Sequence, residues 1–199
     1  MKTFLAIIGF FLLTFFNSVK QNIYFTKKGE VSFFSVAPIQ NIDAHNYNLG
    51  VVLNTGNNEI AFSAIMELFQ FRRSKMQRDF NVNYVESDKY PNATFKGKIN
   101  EKIDYSKEGT YHVTATGKLT IHGVSQLRTE KGTLTIEGNK ISLASDFKIR
   151  VKDFNVKIPV LLTNHIAEVV DVTVKAELIP QEKFISENNL LQQNSSQNE

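Results

Sequence analysis

A strict alternation of apolar and polar side chains is the feature that most constrains this chain. From Thr110 to His122 every second residue is apolar or small, and threonine, lysine or histidine stands at each position between them. Successive side chains of a β-strand point to opposite faces, so this segment has one apolar face and one polar face. The same alternation returns over residues 141–151 and 170–178. The pattern predicts long, half-buried antiparallel strands.

Shorter alternating runs fill much of the remaining chain. They cover residues 23–25, 31–35, 60–68, 95–99 and 133–137. Because the first two runs flank the polar residues 27–30, they predict a hairpin there. Glycine and asparagine stand between many of the other runs, which is typical of tight turns between strands.

One segment does not alternate. Between Arg72 and Val85 the apolar residues Met76, Phe80 and Tyr84 recur at a spacing of four, which places them on one side of a helix. The spacing predicts a short amphipathic α-helix over about 73–85.

About eight strands and one short helix predict an all-β fold, an extended antiparallel barrel with a sandwich as the alternative. An eight-stranded barrel is either filled by side chains or just wide enough for one small ligand. Small residues interrupt the apolar faces at Ala64, Gly97, Ala115, Gly117, Ser145 and Ala176. They favour a cavity, although they would also make room for large neighbours.

The two ends of the chain differ from the alternating part. Lys2 precedes an uncharged apolar run over residues 4–16, which as a helix would span about 20 Å, less than the ~30 Å hydrocarbon core of a membrane. We therefore predict a signal peptide over residues 1–20 and an exported, periplasmic or extracellular protein; an uncleaved anchor is the alternative. Residues 21–180 form the predicted domain, and the polar residues 181–199 a disordered tail.

Composition and motifs exclude several classes of function. The chain has no cysteine, so disulfides, thiolate metal sites and iron–sulfur clusters are excluded. A net charge of only +3 is too small for a nucleic-acid-binding surface. The motifs of serine hydrolases, zinc proteases and nucleotide-binding loops are absent. We therefore expect a protein that is not an enzyme and has neither a metal site nor a cofactor.

The four histidines provide the alternative to that expectation. His112 and His122 stand on one face of one predicted strand but about 33 Å apart, too far to share a metal ion. His45 and His165 each adjoin an asparagine in predicted loops. An enzyme acting on a lipid would use these two as its acid–base pair, whereas the other interpretation is that both are hydrogen-bonded structural residues.

A basic cluster lies at the predicted helix. Arg72, Arg73 and Arg78 are the candidate contacts for a phosphate or an anionic lipid headgroup, because arginine suits bidentate phosphate binding. The alternative is a solvated helix face, with Lys75 and Asp79 as a simple surface pair.

Several segments resemble the YceI-like family in their order and spacing. Leu119–Ser125 reads Leu-Thr-Ile-His-Gly-Val-Ser and resembles the signature strand of the family, and Ser87–Phe95 is similar to its Ser-x-x-Tyr-Pro junction. Met76–Phe80 corresponds to the helix and 153–159 to an Asp-Phe stretch of the family, although Asp79 replaces the usual histidine. The resemblance implies a lipocalin-like barrel, exported, with an apolar tunnel that in some members holds a polyisoprenoid.

We therefore expect non-catalytic binding of a long apolar ligand, such as a polyisoprenoid, an isoprenoid quinone or a similar lipid, in the cell envelope. The alternative is a structural or stress-related envelope protein with a packed barrel and a protein partner. A homodimer is compatible with either function. The residues predicted to line the tunnel are Phe62, Ala64, Met66, Phe95, Gly97, Val113, Ala115, Leu119, Phe147, Val172 and Val174.

Overall fold

The alternating segments form nine antiparallel strands. The structure, a computed structural model, describes residues 22–36, 41–157 and 168–182. Over the described ranges the strands are β1 (Ile23–Ser35), β2 (Ile42–Asn54), β3 (Glu59–Ile65), β4 (Gln70–Phe71), β5 (Asn92–Ile99), β6 (Gly109–Ile121), β7 (Val124–Glu137), β8 (Lys140–Arg150) and β9 (Val169–Pro180). The predicted signal peptide and most of the predicted tail lie outside the described residues.

The sheet closes on itself into a barrel. Its strand order is β1-β9-β8-β7-β6-β5-β3-β2, and β1 also pairs with β2, while β4 adds a short ladder against the start of β2. Asn46 of β2 lies between the residues that pair with β4 and those that pair with β3. Its buried side chain donates to the carbonyl of Ile65 at 2.8 Å. The prediction of an eight-stranded antiparallel barrel is confirmed.

The predicted helix is present but is only partly α-helical. Helix α1 covers Ser74–Asp79, and a π-helical turn continues it over Phe80–Tyr84. In that wider turn the amide of Val85 donates to the carbonyl of Phe80 at 2.9 Å. Short 3-10 turns cover Met66–Leu68 and Val151–Phe154.

The prediction of a hairpin within residues 23–35 is wrong. These residues form the single strand β1, whose register against β2 shifts on both sides of Gly29. Such shifts are β-bulges, in which extra residues on one strand leave the pairing without ending it. Gly29 is buried, and a side chain there would stand only 3.0 Å from the carbonyl oxygen of Leu49. The polar residues 27–30 are therefore a bulge in a continuous strand.

The barrel interior is solid at one end. Where β2, β7 and β9 finish, large side chains pack with almost no exposure, namely Leu53 (0%), Leu134 (0%), Ile136 (2%), Ile141 (2%) and Leu178 (0%). Toward the opposite end, next to α1, inward residues such as Phe62, Phe95 and Phe147 are only partly buried. The fold thus combines the two interiors that the sequence left open, a packed core at one end and a cavity at the other.

Candidate functional site

The hollow part of the barrel contains an apolar cavity of about 510 Å³. All eight barrel strands and α1 contribute to its lining, with Val31, Leu49, Val113 and Met76 among the contributing side chains. Small-molecule sites usually measure roughly 300–1,000 Å³, so the cavity is large enough for a ligand.

The structure places almost all of the predicted tunnel residues on this cavity. The residues on the cavity wall are Phe62, Ala64, Met66, Phe95, Val113, Ala115, Leu119, Phe147, Val172 and Val174. Gly97 is not among the lining residues. It pairs with Gly117 across β5 and β6, and a side chain on either glycine would stand 2.8 Å from the Phe95 ring. The two glycines therefore accommodate the Phe95 ring and do not widen the cavity.

A cluster of four phenylalanines closes around the cavity near α1. Phe80 stacks on Phe33 at a ring-centroid distance of 5.6 Å, and it contacts Phe71 at 4.9 Å and Phe69 at 5.7 Å. These rings come from β1, β4, the π-helical turn and the loop before β4, so no local sequence signal connects them. The sequence analysis missed this cluster as a unit, and the total of 16 phenylalanines was its only hint.

The basic cluster divides between the cavity and the surface. Arg73 lines the cavity together with Lys75 and Asp79, whereas Arg72 and Arg78 are exposed and are not among the lining residues. The Lys75 ammonium lies 2.6 Å from the Asp79 carboxylate, and the Lys75 side chain is 79% exposed. The surface pair expected from the i,i+4 spacing is therefore present, and only Arg73 of the three arginines reaches the cavity.

A second charged pair lies in the barrel wall and was missed. Arg128 and Glu130 are on the inward face of β7, in line with Gly132, Leu134 and Ile136. Their side chains are 25% and 20% exposed, and Arg128 Nε donates to Glu130 Oε1 at 2.5 Å. Continuing the alternation of residues 133–137 toward the N-terminus would have identified both positions.

Residues from three of the four segments that carry the family resemblance meet around His122, which is not among the cavity-lining residues. His122 and Gly123 form the turn between β6 and β7, both with positive φ (50° and 73°). The His122 ring lies 2.6 Å from the Glu86 carboxylate, 3.2 Å from the carbonyl oxygen of Phe154 and edge-on to Tyr90. The hydrogen bond from His122 holds the pKa of the Glu86 carboxyl below its usual range. This cluster joins Leu119–Ser125, Ser87–Phe95 and residues 153–159 at the α1 end of the barrel.

The prediction of a loop at His45 is wrong, because His45 lies on β2, and it is not among the cavity-lining residues. Its Nδ1 is 3.1 Å from Glu30 and its Nε2 is 3.1 Å from Asp43. The hydrogen bond to Glu30, with a smaller contribution from Asp43, raises the pKa of His45. His165, its partner in the enzyme alternative, lies outside the described residues, and within those ranges no group of three or more His, Asp and Glu side chains could hold a metal ion.

We predict that His45→Gln reduces stability at low pH only. Because the pKa of His45 is raised on folding, the stabilisation is complete below its ordinary pKa of about 6.5 and is lost as the pH rises through the folded value. The side chain is 36% exposed, so we expect a loss of about 0.2–1 kcal/mol in the free energy of unfolding, measured by urea denaturation between about pH 5 and 9. His112→Gln, on the exposed outer face of β6, is the matched control for the loss of an imidazole. A loss in His45→Gln that is equal at all pH values would contradict the prediction.

A family model covers most of the chain. The family model described as YceI-like domain matches residues 16–178, a range that begins within the predicted signal peptide. No curated protein matches the chain. Within the described part of the chain, no helix is long and apolar enough to cross a membrane.

Three solved structures share the fold at low identity. A polyisoprenoid binding domain from Saccharophagus degradans, implicated in plant cell wall breakdown, has a TM-score of 0.69 at 14% identity and covers 81% of this chain and 99% of its own. BcnA from Burkholderia cenocepacia has a TM-score of 0.64 at 18% identity, with coverages of 76% and 96%. The YCEI protein of Campylobacter jejuni has a TM-score of 0.51 at 17% identity, with coverages of 89% and 97%. With the family match spanning most of its length, the chain belongs to the YceI-like family.

Proposed function

We propose that this protein binds a long apolar ligand, such as a polyisoprenoid, an isoprenoid quinone or a similar lipid, without catalysis. The observation that carries the proposal is the apolar cavity of about 510 Å³ in a barrel whose other end is packed solid. Apolar surface facing an empty or wet cavity is unfavourable, and burial of an apolar chain contributes about 25 cal/mol per Å² of surface removed from water.

The arrangement of the lining suits a chain-like ligand more than a compact polar one. Phe62, Phe95 and Phe147 stand on three different strands around the cavity, and the phenylalanine cluster near α1 closes one part of it. Because dispersion and hydrophobic contacts are non-directional, such a wall accepts apolar chains of different detailed shape. The polyisoprenoid-binding description of the Saccharophagus degradans domain supports the same ligand class for this chain.

We also propose that the protein acts outside the cytoplasm. Residues 1–20 are the signal peptide in this proposal, residues 21–180 the binding domain and residues 181–199 a polar tail. The cationic start and the short apolar run support export, since the run is too short for a typical span.

The proposal is tested by purifying the mature, exported protein without detergent from its native envelope and analysing solvent extracts by mass spectrometry. We expect one apolar species in near-stoichiometric amount. The delipidated protein should then take up Nile red, and phytol should displace the dye. An extract without lipid, combined with no uptake of Nile red or phytol, would contradict the proposal and would favour a packed barrel with a protein partner.

A further inference from the structure

The barrel wall has a gap between β7 and β8. The two strands pair only through Thr133–Glu137 on β7 and 140–144 on β8. Among the described residues, positions 124–132 of β7 pair with β6 alone, and positions 145–150 of β8 pair with β9 alone. The gap opens toward the hollow end of the barrel, and residues of both its edges line the cavity.

Side chains bridge this gap where the backbone ladder is missing. The Ser145 hydroxyl donates to the carbonyl of Lys131 at 2.7 Å, and Arg128 Nη2 donates to the carbonyl of Lys148 at 2.9 Å. Lys131 and Lys148 are exposed residues, so these two bonds lie where the gap meets solvent. The gap therefore combines an edge of the apolar cavity with a set of polar groups.

The Arg128–Glu130 pair faces the cavity beside this gap. On the neighbouring strand β6, Glu130 pairs with Ala115, a small residue that also lines the cavity, and Arg128 pairs with Gly117, whose position is filled by the Phe95 ring. The two side chains are only 25% and 20% exposed, so both charges are partly removed from water, which is costly, and at buried positions apolar residues of similar volume are often equally stable. The two bonds from Arg128 use only part of the donor capacity of a guanidinium, which carries N–H groups on each of its nitrogens.

We propose that Arg128 and Glu130 bind the polar end of the apolar ligand and that they select an uncharged, oxygen-bearing end such as an alcohol or a carbonyl. This inference rests on the proposed function. The guanidinium donates to the ligand oxygen, and the Glu130 carboxylate accepts from a hydroxyl group when one is present. The pair is neutral as a whole, so an anionic end would compete with Glu130 for Arg128 and would be repelled by its carboxylate.

The test compares matched isoprenoids that differ only at one end. Phytane, phytol and phytyl phosphate compete with Nile red on the delipidated full chain, in the wild type and in Arg128→Met and Glu130→Gln. We expect phytol to bind about tenfold more tightly than phytane in the wild type, as suits one hydrogen bond to a charged group. Arg128→Met should remove this preference and leave phytane affinity unchanged, whereas Glu130→Gln should move the preference toward phytyl phosphate.

Two further variants separate binding from structure. Arg150→Met removes an exposed arginine from β8 near the same gap and should leave all three affinities unchanged. Arg128→Lys keeps a donor and a charge and should retain part of the phytol preference if Arg128→Met proves too unstable to assay.

The outcomes are distinguishable from failure of the proposed function. Equal affinity of the wild type for phytane and phytol, or a wild-type preference for phytyl phosphate, would overturn this inference while lipid binding stands. Failure of all three isoprenoids to displace the dye would instead count against the proposed function itself.

Discussion

Ala115→Trp is expected to abolish ligand uptake and leave the barrel folded. Ala115 faces the cavity from the middle of β6, between Ile99 on β5 and Glu130 on β7. An indole ring at this position would occupy the space that the ligand needs. Because it enters an existing cavity and not a packed core, the cost in stability should stay within the about 1–3 kcal/mol typical of added core volume.

The affinity of delipidated Ala115→Trp for phytol should fall by about a hundredfold or more, a loss of roughly 2.7 kcal/mol or greater. Nile red competition measures this loss, and the thermal unfolding midpoint reports whether the variant is folded. Lys118→Trp is the matched control, since Lys118 is exposed on the outer face of the same strand. A folded Ala115→Trp protein that binds phytol as well as the wild type would disprove the assigned cavity lining.

Leu134→Ala is expected to have the largest effect on stability. Leu134 is 0% exposed at the solid end and is not among the cavity-lining residues, so its removal leaves a new void in packed surroundings. Substitutions of this kind cost about 3–5 kcal/mol. Ligand affinity should be unchanged in whatever fraction of the protein is folded.

Leu119→Ala makes the same chemical change in the hollow part of the barrel, and we expect it to affect ligand binding more than stability. Leu119 is 8% exposed and lines the cavity, so part of its side chain already lacks packing partners. We expect a smaller loss of stability by urea denaturation of the delipidated protein, and a measurable loss of phytol affinity. Equal stability losses in the two variants, with equal effects on binding, would contradict the division of the interior into a solid and a hollow part.

The strand pattern could be predicted because it depends on neighbouring residues only. The alternation of residues 110–122 reappears as β6 (Gly109–Ile121), with Val113, Gly117 and Leu119 buried on its inward face. The spacing of Met76, Phe80 and Tyr84 likewise marked α1 and the turn after it. The error at β1 shows the limit of this reasoning, since a glycine among polar residues is compatible with a turn or with a bulge. Pairing of β1 with both β2 and β9 decides between them.

The candidate site was predictable in part for the same reason. Alternation identifies which residues of a strand face inward, so the sequence alone is enough to assign Phe62, Phe147 and Val172 to the interior. It does not reveal where that interior is empty. Gly97 illustrates this, because its missing side chain makes room for the Phe95 ring and not for a ligand.

The sequence by itself determined the all-β class, the inward face of most strands, the helical segment and, through its signature segments, the family. Only the tertiary structure decided the closure of β1 on β2, the packed end of the interior, the phenylalanine cluster and the gap between β7 and β8 beside Arg128 and Glu130. The physical reason is the separation along the chain of the residues that interact. Alternation and helical spacing act between near neighbours in the chain, whereas cavities, clusters and gaps arise from contacts between strands far apart in sequence, whose register no local pattern specifies.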